Sequence, residues 1–180
     1  MRSIPTPVAT LHERTFMLEK LLRVGAPSPL LVTPASMGGA GTVCTQDVQV
    51  ATLGGVTYKH LPFVVNGINS VDAGGCDVVS YNFSGCIMAA YKVGGAFRVC
   101  HVSTGDAQDC KDEWNRVKGA ATSVFEFKPS DFVETGGAAL LGVYGLVTAD
   151  LQTYAITVVQ NAVMGGGPKI AAITKARLLR

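Results

Sequence analysis

A cysteine and a histidine are the residues of this sequence best placed to do chemistry together. Cys86 directly follows the Ser84-Gly85 turn, and His101 lies near the end of the next predicted strand. A cysteine can attack a carbonyl carbon through sulfur, while a neighbouring imidazole takes up and returns the proton that the reaction requires. Cys86 and His101 are therefore predicted to form a nucleophile and base pair.

The turn between the two strands sets the register that would bring this pair together. Gly94 and Gly95 suit a two-residue hairpin turn, because both positions can need a positive φ. With that turn, Cys86 faces Ser103 and is a diagonal neighbour of His101 on the same face, where such pairs lie within about 8 Å. A loop of three or five residues would shift the register by one residue and place the pair on opposite faces.

The neighbours of the pair predict how it would be activated. A histidine at the rim of an apolar face is expected to stay neutral near pH 7 and act as a base, whereas a protonated histidine would lower the thiol pKa and leave a thiolate. After the tight turn, the backbone N–H of Cys86 is expected to point at a substrate oxyanion. Ser80 on the preceding strand is the candidate for orienting the imidazole, and Cys100 is expected to point away from the site.

Two helices and a series of short strands must position these residues. Apolar residues recur at helical spacing from Val8 to Leu22, and a short surface helix is predicted at Asp106 to Val117 around the single Trp114. The other segments are short, rich in Val, Thr and Tyr, and separated by glycine-containing turns, which is typical of strands. The predicted strands are Pro29 to Thr33, Gly41 to Gln46, Asp47 to Leu53, Val56 to Val65, Asp77 to Phe83, Cys86 to Lys92, Ala96 to Ser103, Thr122 to Phe127, Ala138 to Thr148, Leu151 to Gln160 and Ile170 to Leu179.

This pattern predicts one α+β domain over residues 1–180, with an antiparallel β-sandwich-like core flanked by helices. The 15 basic and 13 acidic residues are scattered and nearly balanced, which gives no support to a nucleic acid or membrane partner. The residues before the first predicted helix contain no apolar run that could serve as a signal peptide, so export is expected to need no cleaved signal unless the chain is a piece of a longer one. The five cysteines show no CxxC and are expected to be reduced. The three histidines are dispersed, so neither a metal nor another cofactor is expected.

The segment from Ser80 to Cys86, followed by a glycine turn and then His101, resembles the signature of the cytotoxic necrotizing factor and Burkholderia lethal factor type of glutamine deamidases. In that family a [LV]SGC segment carries the nucleophile, a histidine on the next strand is the base, and a hydroxyl residue precedes the cysteine by six positions. Here Phe83 replaces the aliphatic residue, and Ser80 stands where threonine is usual in two of the three groups. The resemblance covers about thirty residues and implies a β-sandwich flanked by helices.

The resemblance also implies a function. It implies a bacterial toxin or effector that deamidates a glutamine of a host protein such as a small GTPase or a translation factor. The chain is accordingly expected to be secreted or translocated into the host cell, and it is expected to be a monomer. A cysteine protease or a transglutaminase would use the same pair. A different class of protein is also open, namely a non-catalytic β-rich binding or immunity protein in which Cys86 and His101 belong to the core.

Overall fold

The computed structural model describes residues 43–44, 49–53, 56–105, 108–161 and 168–179. Within these ranges the chain forms two β-sheets, one α-helix and a short 3-10 helix. The strands are β1 (Val43–Cys44), β2 (Gln49–Leu53), β3 (Val56–Leu61), β4 (Ile68–Asp72), β5 (Asp77–Tyr81), β6 (Ile87–Val93), β7 (Ala96–Val102), β8 (Ser123–Phe127), β9 (Leu140–Val147), β10 (Thr153–Gln160) and β11 (Pro168–Lys175). Helix α1 spans Gln108–Ala120, and the 3-10 helix spans Pro129–Phe132.

The strands are divided between a five-stranded sheet and a six-stranded sheet. The first, called sheet A here, has the order β1-β4-β7-β6-β8, and the second, sheet B, has the order β11-β10-β9-β5-β3-β2. Neighbouring strands are antiparallel except for the β1/β4 and β3/β5 pairs, which are parallel. The predicted α+β class with a largely antiparallel sandwich core is therefore confirmed.

The main core lies between the two sheets. Met88 and Val99 of sheet A share one buried cluster with Val78 and Val147 of sheet B, and Phe127 of β8 belongs to the same cluster. All five are at most 1% exposed. At roughly 1.5–3 kcal/mol for each large apolar side chain removed from water, this layer supplies much of the driving force that holds the sheets together.

Helix α1 covers the outer face of sheet A. Cys110, Trp114 and Val117 recur at helical spacing, and all three pack against the outward-facing residues of sheet A, among them Ala89 and Cys100. The predicted surface helix at 106–117 is thus found slightly later in the chain, at Gln108–Ala120. The indole N–H of Trp114 also donates a hydrogen bond to a carboxylate oxygen of β8 at 2.7 Å, which ties the helix to the edge of the sheet.

Some elements differ from the prediction. Strand β4 was not predicted, because its sequence INSVD places Asn69 and Ser70 in the middle and offers no apolar alternation. Both polar side chains are fully buried, and both have hydrogen-bond partners there: Asn69 donates to the Pro62 carbonyl, and Ser70 hydrogen-bonds Tyr91. The predicted helix from residue 8 to 22 and the predicted strand from 29 to 33 lie outside the described residues.

Candidate active site

The β6/β7 hairpin places Cys86 and His101 on the interior face of sheet A. Gly94 and Gly95 have φ values of 60° and 89°, so the loop is the predicted two-residue turn. Met88 is paired with His101 in the resulting register, and Cys86 immediately precedes the first residue of β6. Cys86 accordingly belongs to the core cluster between the sheets, as predicted for the face that carries His101.

Cys100 occupies the opposite face of the same strand, as predicted. It is fully buried in the cluster beneath helix α1, together with Cys110. Burial raises the pKa of both thiols above the ordinary value, in the case of Cys110 to about 11. Position separates these residues from Cys86, because both lie on the helix side of sheet A while Cys86 lies on the interior face that carries His101.

Ser80 reaches His101 from the other sheet. Strand β5 lies between β3 and β9 in sheet B, and Ser80 pairs there with Leu61. The Ser80 Oγ atom lies 2.8 Å from His101 Nδ1 and 2.7 Å from the Leu61 carbonyl oxygen. The predicted contact between Ser80 and the imidazole is thus present, and it crosses the interior of the sandwich.

These two contacts determine which nitrogen of His101 carries the proton. A carbonyl oxygen can only accept, so the single hydroxyl hydrogen of Ser80 is donated to Leu61. The Ser80 oxygen must then accept from His101, which assigns the ring proton to Nδ1. Nε2 consequently carries the lone pair, and this atom is buried without a hydrogen-bond partner among the described residues. A neutral imidazole with a free Nε2 is the form that a general base requires.

Aromatic rings enclose the imidazole. Phe83 stacks on His101 with ring centroids 4.0 Å apart and an angle of 9° between the planes, and Phe63 lies at 5.0 Å. His101 is 1% exposed, and this burial lowers its pKa to about 3. The imidazole is therefore neutral over the whole physiological range.

Neither phenylalanine was predicted to belong to the site. Phe83 was noted only as the residue that replaces an aliphatic one, and its position directly before Ser84-Gly85-Cys86 was the available signal. Phe63 gives no such signal, because it comes from the loop after β3, far from the site in the sequence.

Cys86 is held in its neutral thiol form. Its side chain is buried, with the residue 9% exposed, and this burial raises the pKa of the thiol. The backbone N–H groups of Thr104 and of Cys86 itself oppose that increase, because both act on the sulfur as hydrogen-bond donors. The neutral imidazole expected from the sequence agrees with this burial, whereas the thiolate that a protonated histidine would produce does not, because burial favours the uncharged form of both groups.

The remaining described cysteines and potential ligands form no second centre. Cys76, Cys86, Cys100 and Cys110 are all free thiols. Within the described ranges, no three His, Cys, Asp or Glu side chains are grouped so that they could hold a metal ion. The same part of the chain contains no helix that is both long enough and apolar enough to cross a membrane.

No known protein family, curated protein or solved structure matches this chain. The resemblance to the glutamine deamidases consequently rests on the motif residues. Function has to be argued from the arrangement of Ser80, Cys86 and His101.

Proposed function

We propose that this chain is a cysteine-dependent glutamine deamidase that acts on a protein substrate. The observation that carries the proposal is the state of His101. Ser80 fixes its proton on Nδ1, and the free Nε2 is buried on the interior face that also carries Cys86. A nucleophile, a base and a group that orients the base are the three parts that amide transfer to a cysteine requires.

The reaction begins from the neutral pair. As the Cys86 sulfur attacks the side-chain carbonyl carbon of glutamine, Nε2 of His101 takes the thiol proton, and the carbonyl oxygen becomes an oxyanion. The imidazolium then gives this proton to the amide nitrogen, so that the C–N bond breaks and ammonia leaves. The resulting thioester is attacked by water, which is deprotonated by Nε2, and glutamate and the free thiol are formed.

Ser80 supports both protonation states of the imidazole. The Nδ1–H group donates to the serine oxygen before and after Nε2 is protonated, because the serine hydroxyl continues to donate its hydrogen to the Leu61 carbonyl. The orienting group is therefore a hydroxyl backed by a carbonyl instead of a carboxylate. It fixes the tautomer without adding a negative charge to the interior of the sandwich.

The burial of the site favours a side-chain amide over a peptide bond. With Cys86 9% exposed and His101 1% exposed, the reacting carbonyl has to be brought to the edge of the core on a slender group. A glutamine side chain is such a group, whereas a peptide bond arrives with the backbone on both sides. A transglutaminase would also accept glutamine, and it differs only in using an amine instead of water to release the thioester.

The substrate and location in this proposal come from the family resemblance. The substrate would be a host protein, such as a small GTPase or a translation factor, and the chain would be an effector that reaches the host cytoplasm. The exposed rim of the site agrees with a neutral target, because the segments 62–67, 82–85 and 103–105 contain no charged residue. The neutral side chains of Val65 and Asn82 are among the exposed residues of this rim.

The proposal is tested by intact-mass spectrometry of small GTPases and translation factors incubated with the wild-type chain. Deamidation changes each target by the mass difference between an amide and a carboxylic acid, and it releases ammonia while the target chain remains whole. Cys86→Ser and His101→Gln should abolish the change, and Cys76→Ser, which alters a half-buried cysteine of a turn, should not. Cleaved targets would indicate a protease, and cross-linked targets a transglutaminase.

A non-catalytic β-rich binding protein is the second candidate, and one observation favours it. Nε2 of His101 accepts no hydrogen bond from Cys86 or any other described residue, and both side chains are buried like ordinary core residues. In that case Cys86→Ser and His101→Gln would change the stability of the protein, but no target would be deamidated, cleaved or cross-linked. The rate at which iodoacetamide labels Cys86 would also be the same with and without His101.

A further inference from the structure

Two chain segments meet beside Cys86. One is the turn that ends at Gly85, and the other is the segment that follows β7, where Ser103 would oppose Cys86 in the hairpin register. The Thr104 hydroxyl donates a hydrogen bond of 2.8 Å to the Gly85 carbonyl oxygen, and the Ser103 N–H donates to the Gly67 carbonyl at 3.1 Å. The segment after β7 is thus anchored on one side and holds the turn on the other.

The bond from Thr104 acts on the peptide unit that carries the Cys86 N–H. The Gly85 carbonyl and the Cys86 N–H belong to one planar, trans peptide and point in opposite directions. A hydrogen bond that fixes the carbonyl therefore also fixes the direction of the N–H group, and it polarises that group as a donor. The Thr104 hydroxyl thus acts on this donor through the Gly85 carbonyl.

Gly85 makes this orientation possible. Its φ of +142° lies in a region that residues with a Cβ rarely adopt, yet an added Cβ would meet no atom within 4 Å. The glycine is therefore required by the backbone conformation and not by lack of space. That conformation directs the Gly85 carbonyl toward Thr104 and leaves the Cys86 N–H on the other side of the peptide.

We propose that Thr104 is a positioning residue of the candidate site. Its hydroxyl holds the Gly85-Cys86 peptide so that the Cys86 N–H, together with the Thr104 N–H, faces the sulfur and the amide oxygen of a substrate bound there. Both N–H groups already act on the Cys86 sulfur in the free protein, where they oppose the effect of burial. Donors placed in this way stabilise the negative charge that develops on the oxygen during attack.

The oxyanion part of this inference rests on the proposed function, but the effect on the thiol does not. Thr104→Val removes the hydroxyl with little change in shape, and Thr104→Ser restores it. Thr122→Val is the matched control, because the Thr122 hydroxyl also donates to a backbone carbonyl, that of Lys92, away from the site. Thr104→Ala loses the same bond and places no γ-methyl group in the position of the hydroxyl, and it replaces Thr104→Val if that variant does not fold.

The first measurement is the rate at which iodoacetamide labels Cys86 as a function of pH. Cys76 and Cys86 lie in the same tryptic peptide, so a Cys76→Ser background removes the ambiguity. Loss of the Thr104 hydroxyl should move the midpoint of labelling to higher pH by about half a unit to one unit, the equivalent of one hydrogen bond. Thr104→Ser and Thr122→Val should keep the wild-type midpoint.

The second measurement is the deamidation of a confirmed substrate. Thr104→Val should lower kcat by about 10- to 100-fold with little change in KM, which is less than the loss expected on deleting an oxyanion donor itself. An unchanged midpoint and kcat in Thr104→Val, or a Thr104→Ser variant as impaired as Thr104→Val, would overturn the inference. If the wild type deamidates nothing, the proposed function fails, whereas the shift in labelling still decides the role of Thr104 toward Cys86.

Discussion

Replacing Ser80 tests the assignment of the base most directly. Ser80→Ala removes a fully buried hydroxyl that accepts from His101 and donates to Leu61. Each buried polar group left without a partner costs about 1–3 kcal/mol, and two groups lose theirs, so the free energy of unfolding should fall by about 2–6 kcal/mol. The preference for the Nδ1–H tautomer should disappear at the same time.

The loss of tautomer preference sets the expected change in rate. A preference of about 1–3 kcal/mol corresponds to a ratio of about 5:1 to 150:1 between the two tautomers, so its loss lowers the fraction of His101 with a free Nε2 from most of the molecules to about half. The change in tautomer should therefore lower the kcat for deamidation by about 2-fold in Ser80→Ala. Ser80→Thr keeps the hydroxyl and should retain most of the activity, although its extra methyl group in a packed core costs about 1–3 kcal/mol of stability.

Ser70→Ala is the matched control for this experiment. Ser70 is equally buried, and its hydroxyl also makes two hydrogen bonds, to Tyr91 and Arg98, but it does not contact His101. Urea unfolding should show a comparable loss of stability, with kcat unchanged. Nitrogen NMR of isotope-labelled histidine reports the tautomer independently of activity. If Ser80→Ala retained both its Nδ1–H tautomer and its kcat, or Ser70→Ala lost as much rate, the assignment of the base would be refuted.

Acid, backbone strain and thiol chemistry give the remaining predictions. The pKa of His101 is about 3 in the folded state and about 6.5 in the unfolded state, so the unfolded state binds more protons between these two pH values. The free energy of unfolding should therefore decrease as the pH falls through this window. Urea unfolding checks this decrease, which should be weaker in His101→Gln. Gly85→Ala forces alanine to φ +142°, so thermal unfolding should show a loss of about 1–3 kcal/mol in the free energy of unfolding, and the deamidase activity should fall as well. Gly75→Ala, at φ +73° in an open turn, should leave the activity unchanged. His101→Gln should slow the labelling of Cys86 by iodoacetamide and leave that of Cys76 unchanged; equal effects on both cysteines would argue against a specific pair.

The hairpin could be predicted from sequence because its information is local. Gly94 and Gly95 specify a two-residue turn, the turn fixes the register, and the register decides that Cys86 and His101 share a face while Cys100 does not. Each of these steps uses residues separated by one strand and one turn, where sequence order and spatial order agree. Ser80 was predicted separately, from its face on the preceding strand, and its contact with the imidazole comes from the other sheet.

The surroundings of the pair could not be predicted, because they depend on long-range packing. Nothing local shows that β5 belongs to sheet B while β6 belongs to sheet A, although the positive φ of Asn82 and Gly85 marks where the chain crosses between them. Phe63 reaches His101 from the loop after β3, and Thr104 reaches Gly85 from the segment after β7. These contacts bury Cys86 and His101, and the burial favours the neutral thiol over a thiolate.

The burial of both groups also determines when the proton moves. Burial raises the pKa of the Cys86 thiol and lowers the pKa of His101 to about 3, so the charged form of each group is disfavoured in the free protein. The neutral pair is therefore the resting state.

In the proposed reaction, a neutral pair transfers its proton during attack on the substrate and not before it. Stabilisation of the developing oxyanion favours this transfer, which connects the Cys86 and Thr104 N–H groups to the role of His101 as a base. Cys86 then remains a neutral thiol until an amide is bound at the edge of the core. The burial of Cys86 and His101 is thus compatible with catalysis, provided that the substrate side chain brings its own carbonyl to the sulfur.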